Sequence, residues 1–432
     1  MIRRPQQYSS AVTFVSALIY CLLIVEGSFK VYLENRFIEN SAFWTSFLPI
    51  NLFPSEVLLY FIGIPVSLLL LPWVLQQRAT TEWAALSALY FVYSVYCLRN
   101  GMGNGAGNNA FTYFKAFYFK IFLLPLFVAL AIKTEKREMM KTVWGFSSAF
   151  SIYVSVYGLL MITEGNIANK DPLSANFTGL QLLLLPMLYG FYEYYVTGKS
   201  RWALGSALIA VAVVIPLEKP AISSLAVGVV CAWSLFIFNQ ALQAAPSSGG
   251  KSAVRFALGA SVILVLGLVV AYSVLNISGG NEWVEYIEQR FLKVGLKNDD
   301  ISSGRFDMWA WAFNMWLSSP IVGHGIGVLY HGQESAVGVH NMYLEVLYTT
   351  GLAGFLMYML WTFSPIMKLY VRLKIQAYSH DSFSFPLLVW LCTMLFSNLF
   401  GNTTSVQSMS SAYFMMMAFA AYQSSSPAGF RR

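Results

Sequence analysis

The sequence predicts an all-α integral membrane protein with about twelve transmembrane helices and one long insertion before the tenth. Hydrophobic residues make up 57% of the 432 residues and charged residues only 11%, whereas soluble proteins carry about 25% charged residues. Apolar runs of about 17 to 25 residues, each long enough to cross a bilayer, recur along the chain. The predicted spans are 11–28, 52–75, 82–99, 114–132, 142–162, 177–196, 202–217, 220–243, 256–277, 341–363, 384–400 and 408–423.

The positions of Lys and Arg predict that both termini face the cytoplasm. Short cytoplasmic loops are enriched in these residues, and most of the 27 fall on the inner side when the N-terminus is placed inside. No small-residue cleavage pattern closes the first apolar run, so we expect it to remain as a span. The chain then divides into transmembrane helices one to nine (1–277), a periplasmic insertion (278–340), and helices ten to twelve with a short cytoplasmic tail (341–432).

Composition also argues against several functions. A net charge of +7 would suggest nucleic acid in a soluble protein, but here the inner cations follow from topology and contact anionic lipid heads. We therefore expect no nucleic-acid partner. The four cysteines lie in or at the ends of apolar runs without metal or disulfide spacing. The acidic residues near Arg305 lack the octahedral ligand pattern of a hard-cation site, so neither a metal nor another cofactor is expected.

Several cations stand at the outer mouths of spans. Arg99 ends the third span, Lys219 lies in the tight turn between the seventh and eighth, and Arg290 and Arg305 lie in the insertion. Such side chains can simply snorkel to lipid heads. Charges at span mouths are nevertheless functional candidates, and Arg and Lys converge on phosphate. We therefore predict that Arg305, Lys219, Arg290 and Arg99 bind a lipid-linked diphosphate.

Three of the four histidines lie in the insertion and compete for the role of general base. His340 directly precedes the tenth span and so stands at the interface on a rigid element, where a catalytic group is best placed. His324 lies in a glycine-rich turn and can cap backbone groups instead, and His331 lies in a loop. We predict that His340 is catalytic and that Asn341, Glu345 and His324 position substrate, although Glu345 can equally form a structural ion pair.

The segment 305–318 is predicted to be an amphipathic helix on the membrane surface. Asp307 is expected to orient Arg305 or to start this helix. The apolar side chains that suggest surface attachment are Phe306, Trp309, Trp311, Phe313, Met315, Trp316 and Leu317.

Residues 302–354 carry a recognisable set of motifs. These are S-G-R-x-x-x-W, P-I-x-G-x-G-x-G, H-N-x-Y-L-E and G-L-x-G, in that order. Together they resemble the O-antigen ligase and O-antigen polymerase superfamily of bacterial envelope glycan transferases. The H-N-x-Y-L-E and G-L-x-G pair is the more specific part. The predicted twelve-span layout, with its long outer insertion, is similar to that superfamily over the whole chain.

The resemblance implies a metal-independent, inverting glycosyltransferase of the bacterial inner membrane that uses a glycan on undecaprenyl diphosphate. It implies His340 as the base and Arg305 as the recurrent cation of the insertion. Members often have Ser-Arg-Gly at the turn before the eighth span, where this chain has Glu218-Lys219-Pro220. Positive charge is kept there, but the bidentate geometry of Arg is lost.

The acceptor remains open between branches of the superfamily. A polymerase adds the glycan to another lipid-linked repeat, whereas a ligase adds it to lipid A-core, and the S-G-R-x-x-x-W stretch favours a polymerase of O-antigen or exopolysaccharide. Polysaccharide-assembly proteins are possible partners. A lipid-glycan flippase or transporter is the alternative from another class, but no inverted repeat is visible and the charges gather on one face. A non-catalytic assembly scaffold is a third reading, which would tolerate loss of His340.

Overall fold

The computed structural model describes residues 9–28, 58–163, 177–214, 224–230, 232, 305–331, 336–337, 339–375, 382–399 and 407–425. The regular secondary structure of these residues is helical apart from one pair of two-residue strands, in agreement with the predicted all-α class. The first helices are α1 (Ser10–Ser28), α2 (Ile64–Leu75), α3 (Arg78–Gly103), α4 (Gly107–Ala116), α5 (Leu124–Lys133) and α6 (Lys136–Thr163). The later helices are α7 (Leu184–Thr197), α8 (Ser200–Val214), α9 (Arg305–Ser318), α10 (Met342–Ile375), α11 (Ser384–Ser397) and α12 (Gln407–Ser425).

Short π-helical or 3₁₀ turns precede three of these helices. A π-helical turn, Leu59–Gly63, precedes α2, and 3₁₀ turns, Tyr118–Leu123 and Phe177–Leu183, precede α5 and α7. The strands β1 (Tyr330–His331) and β2 (Ala336–Val337) pair antiparallel within the insertion. The insertion therefore contains a small hairpin that the sequence did not predict.

Three segments of the described chain are long and apolar enough to cross a bilayer: Ser10–Gly27, Asn109–Lys133 and Met342–Leu373. Shorter apolar helices occupy Leu59–Leu75, Ser200–Val213 and Ser384–Ser397. Helices stand at most of the other predicted spans as well. The ninth predicted span lies outside the described residues, and the count of twelve stays a prediction.

Helix α12 lies at the centre of the bundle. It packs against α1, α3, α5, α10 and α11, and every side chain from Met409 to Tyr422 is buried. Its sequence is rich in Ser, Ala and Met, and small residues let helices approach closely where lipid gives no hydrophobic driving force. The last predicted span is therefore a core helix enclosed by protein rather than one facing lipid.

Helix α10 is tied along α3 by two tryptophans. The rings of Trp83 and Trp361 stack with centroids 5.8 Å apart. Trp83 Nε1 donates to the Trp361 carbonyl (3.1 Å), and Trp361 Nε1 donates to Ser87 Oγ (2.8 Å). Buried indole N–H groups need such partners, so these bonds fix how the two helices lie side by side.

Helix α9 has the bounds that the sequence predicts and packs on the first turns of α10. Met308 and Ala312 are buried against Val339 and Tyr348, and the rings of Trp311 and Tyr348 lie 5.2 Å apart in an edge-to-face arrangement. This packing attaches α9, which belongs to the insertion, to the beginning of the predicted tenth span.

Candidate functional site

His340 stands immediately before the first turn of α10. The next residue, Asn341, caps this helix, because its Oδ1 accepts hydrogen bonds from the backbone N–H groups of Tyr343 and Leu344, both at 3.1 Å. Asn is a favoured residue at this position since it satisfies N–H groups that have no partner within the helix. Asn341 therefore determines where α10 begins and keeps the preceding imidazole at its mouth.

The backbone around His340 is held from two sides. Trp309 Nε1 on α9 donates to the Val339 carbonyl at 2.9 Å, and the Met342 N–H donates to the Asn398 carbonyl at 2.9 Å. Between these two hydrogen bonds His340 has a φ of 51°. Among the described residues it is the only one other than glycine with a positive φ. Residues held in this left-handed region often belong to functional sites.

Arg305 is the first residue of α9 and lies near His340. Residues four apart share one side of a helix, so Arg305 lies on the same side as Trp309, which bonds to the residue before His340. His340 is exposed, yet the surrounding protein removes part of its hydration. This desolvation and, second, the Arg305 guanidinium lower the pKa of His340 below its ordinary value. The lowered pKa favours the neutral imidazole, the form that a general base needs.

Helix α10 is interrupted at Gly351, whose φ of 64° and ψ of −173° are not helical. The N–H groups of Leu352 and Ala353 would otherwise bond the carbonyls of Tyr348 and Thr349, four residues back. They donate instead to the carbonyls of Pro320 (2.8 Å) and Ile321 (3.2 Å). The break thus exchanges intrahelical partners for partners in the turn Pro320–Gly327, which we call the glycine turn.

The carbonyls released by the break are satisfied by the same turn and by one tyrosine. The Tyr348 carbonyl accepts from the His324 N–H (2.9 Å), and the Thr349 carbonyl accepts from the Gly325 N–H (2.8 Å). The Thr350 carbonyl accepts from the Tyr93 hydroxyl (2.9 Å). A buried backbone group without a hydrogen-bond partner costs about 1–3 kcal/mol, and residues 348–351 are buried, so the glycine turn is what permits the break.

The glycine turn needs its glycines because it lies directly against other backbone. Gly323, Gly325 and Gly327 all have positive φ. A Cβ on Gly325 would lie 2.0 Å from the Gly101 nitrogen, and one on Gly327 would lie 2.3 Å from the Ala110 Cα. The P-I-x-G-x-G-x-G motif is therefore a packing motif that seats the insertion against the ends of α3 and α4.

The Gly/Asn-rich stretch at the end of α3 is the docking partner of the glycine turn. Asn100 Nδ2 donates to the Gly323 carbonyl (3.2 Å), and Asn104 Nδ2 donates to the His324 carbonyl (2.6 Å). The Ile326 N–H donates to the Cys97 carbonyl (3.0 Å). Sequence reasoning missed this role of Asn100 and Asn104, although the abundance of Gly and Asn there was a signal.

His324 is engaged with the C-terminal end of α9. Its Nε2 lies 2.8 Å from the Met315 carbonyl and 2.9 Å from Ser318 Oγ. This ring caps backbone groups, which is the alternative role that its position in a glycine-rich turn suggested. Substrate positioning by His324 stays a prediction, and His331 lies on β1.

Glu345 is buried on the first turns of α10. Its carboxylate lies within electrostatic reach of Tyr113, Tyr118 and Tyr348, and its carbonyl accepts from the Thr349 hydroxyl (2.5 Å). Its surroundings thus belong to the interface between α4, α10 and the turn after α4. The position favours a structural or head-group role over direct participation with His340.

Of the remaining predicted cations, Arg99 lies within the described residues. Arg99 is exposed near the end of α3, two residues after the Cys97 carbonyl that holds the glycine turn. Lys219 and Arg290 lie outside the described residues, so their part in diphosphate binding stays a prediction. Within the described ranges, no group of three or more His, Cys, Asp or Glu could hold a metal ion.

Comparison with known families agrees with the motifs. Residues 182–359 match the O-antigen ligase family, and this stretch includes Arg305, the glycine turn, His340 and Glu345. A search of curated proteins finds no match. The family match confirms the resemblance to the O-antigen ligase and O-antigen polymerase superfamily that residues 302–354 predict.

The docking of the glycine turn predicts a large difference between two glycine substitutions. Gly325→Ala forces a Cβ into the Gly101 backbone at positive φ, and left-handed strain plus overpacking cost about 2–5 kcal/mol. Gly103→Ala, at the end of α3 with nothing within 4 Å of the new Cβ, should be neutral or slightly stabilising. Thermal unfolding of the purified proteins in detergent measures both, and equal melting temperatures would contradict the docking.

Proposed function

We propose that this protein transfers a glycan from undecaprenyl diphosphate to an acceptor hydroxyl, a proposal supported by the match of residues 182–359 to the O-antigen ligase family. The proposed site faces the periplasm at the bacterial inner membrane, in a twelve-span protein with both termini in the cytoplasm. The observation that carries the proposal is the position of His340 at the mouth of α10, within electrostatic reach of the Arg305 guanidinium.

The proposed reaction is a single displacement at the anomeric carbon of the donor. The acceptor hydroxyl oxygen forms the new bond to that carbon while the bond to the diphosphate oxygen breaks, which inverts the configuration. His340 takes the hydroxyl proton as the bond forms. A histidine is suited to this step because its neutral form is available near neutral pH, and the lowered pKa of His340 favours that form.

The leaving diphosphate carries the negative charge that develops in this reaction. Arg305 can place N–H donors on its phosphate oxygens, and Arg does so in a bidentate fashion. Preorganised positive charge at the leaving group lowers the barrier. In the proposal no metal ion takes this role, and Lys219, Arg290 and Arg99 supply further positive charge.

Two acceptors remain candidates. The S-G-R-x-x-x-W stretch favours a lipid-linked repeat, which makes the protein an O-antigen or exopolysaccharide polymerase. The family that matches residues 182–359 is described as O-antigen ligase, which favours lipid A-core. We lean to the polymerase, and the glycan profile of a variant strain separates the two.

The variant His340→Asn tests the base. Asn tolerates the left-handed backbone of residue 340, so the protein should fold and reach the membrane as the wild type does. Transfer should fall by about 10²–10⁴-fold, which is typical for loss of a general base. In cells that carry only this variant, glycans of a single repeat indicate a polymerase, and full-length lipid-linked polymer that never reaches the core indicates a ligase. Wild-type glycan would contradict the assignment of His340.

The pair Arg305→Gln and Arg305→Lys tests the coupling to His340. Loss of the positive charge raises the pKa of His340, so a larger fraction is protonated at acidic pH and inactive as a base. The acidic limb of kcat/KM for Arg305→Gln should therefore move to higher pH, and the plateau should fall about ten- to a hundred-fold through lost phosphate contact. Arg305→Lys should keep the limb near its wild-type position.

The matched control for Arg305 is Lys199→Ala, which removes an exposed cation from the predicted cytoplasmic side. Its pH profile and rate should equal those of the wild type. An unmoved acidic limb in Arg305→Gln, or an equal loss in Lys199→Ala, would contradict the proposed site.

A further inference from the structure

The outward side of α9 carries large apolar side chains. Phe313 and Leu317 lie one helical turn apart, with 47% and 55% of their surfaces exposed. They point away from Met308 and Ala312, which are buried against the start of α10. The inward side therefore accounts for only part of the apolar residues of this helix.

A third side of α9 is polar. Asp307 and Asn314 are seven residues apart, two full turns, and both are exposed. Asn314 directly follows Phe313 and is turned from it by about 100° around the helix axis. The helix thus has one side buried against protein, one exposed apolar side and one exposed polar side. This division suits a helix that lies at a membrane surface.

The apolar side continues beyond the end of α9. Ile321 and Val322 in the glycine turn are 68% and 37% exposed. The Ile321 carbonyl accepts from the Ala353 N–H at 3.2 Å, so this part of the turn lies against α10 just after its break.

Helix α10 has an exposed apolar stripe at the same place. Leu352, Leu356 and Leu360, spaced by four residues along one side, are all exposed. They belong to a segment long and apolar enough to cross a bilayer, Met342–Leu373. The exposed side of α9 and the glycine turn therefore leads onto the exposed apolar stripe of a helix that is long and apolar enough to cross a bilayer.

We propose that Phe313, Leu317, Ile321 and Val322 form a lipid-docking surface that seats α9 in the headgroup region of the membrane. Trp316 agrees with this placement, because its ring lies 5.2 Å from that of Phe313 while its Nε1 donates to the Pro320 carbonyl (3.1 Å). Indole rings concentrate at the level of lipid headgroups. Lipid is the favoured occupant because the surface runs without interruption onto the exposed stripe of α10.

The lipid-docking surface has a consequence for the transfer reaction, and this step rests on the proposed function. Arg305 begins the docked helix, and Trp309 on the same helix holds the residue before His340. Docking therefore sets the depth of both side chains at the level where a membrane-embedded donor keeps its diphosphate. The enzyme can then take the donor without drawing its prenyl chain out of the bilayer.

The depth of the lipid-docking surface is measured by fluorescence quenching in vesicles of bacterial phospholipid. A bimane label is placed at Phe313→Cys and, as the matched control, at Asn314→Cys, in a protein whose four native cysteines are replaced by alanine. Lipids with a quencher near the headgroup should quench the label at 313, whereas aqueous iodide should quench the label at 314. Quenching of 313 by iodide alone, or protection of 313 from both quenchers by protein, overturns the proposal.

The functional consequence is measured with two donors. For the double variant Phe313→Ser with Leu317→Ser, transfer from a long-chain donor in vesicles should fall by about tenfold or more, since lost apolar contact weakens seating in the membrane. Transfer from a water-soluble donor with a short prenyl chain should stay close to the wild-type rate. Equal losses with both donors contradict the docking role. If the wild type uses neither donor, the proposed function fails, while the quenching result still decides the membrane placement.

Discussion

The exchange of backbone hydrogen bonds between the broken helix α10 and the glycine turn is the interaction on which the candidate site depends. Two N–H groups and two carbonyls that a continuous helix would pair internally bond instead to residues 320–325. Thr349, Thr350 and Gly351 are buried, so backbone groups that lose their helical partners there need other partners, and the break and the turn must form together. The glycines of both partners allow backbone to approach backbone, because a Cβ on Gly323, Gly325 or Gly351 would fall within about 2.0–2.5 Å of another main chain.

This exchange fixes the insertion to the bundle and, with it, the two groups proposed to act on substrate. The glycine turn follows α9 directly, and His324 caps the last turn of that helix, so α9 cannot move independently of the break. At its other end, α9 carries Arg305 and holds Val339 through Trp309. The short half-helix before Gly351 begins at Asn341, next to His340. Arg305 at the start of α9 and His340 just before α10 are therefore held by two helices that contact each other at both ends of α9, which is the rigidity that the proposed transfer site requires.

Local patterns in the sequence were enough to predict the parts of this arrangement, but not how the parts meet. The bounds of α9, a span that begins near residue 341 and the position of His340 at its mouth follow from apolar periodicity. The capping role of Asn341 was not predicted, because this residue was assigned to substrate positioning. The break at Gly351 could not be predicted from the sequence, because a glycine within an apolar run is equally typical of a close contact between helices. The pairing of Asn100 and Asn104 with the glycine turn joins residues more than 200 positions apart, and nothing in either segment specifies the other. Trp309 was visible in the S-G-R-x-x-x-W motif, yet its bond to Val339 depends on the tertiary fold. Lys219, Arg290 and the twelve-span count stay predictions.

The central claim is that His340 and Arg305 act as a unit, because His340 can deprotonate the acceptor productively only while Arg305 holds the diphosphate of the donor in place. A double-mutant cycle with His340→Asn and Arg305→Gln measures this directly, with the rate of glycan transfer by purified protein as the readout. Residues that act as a unit in catalysis are strongly non-additive. The account predicts that the double variant is slower than the slower single variant by less than about threefold, because coupled effects do not multiply. Losses that multiply in full would show that the two side chains act independently, and would contradict the account.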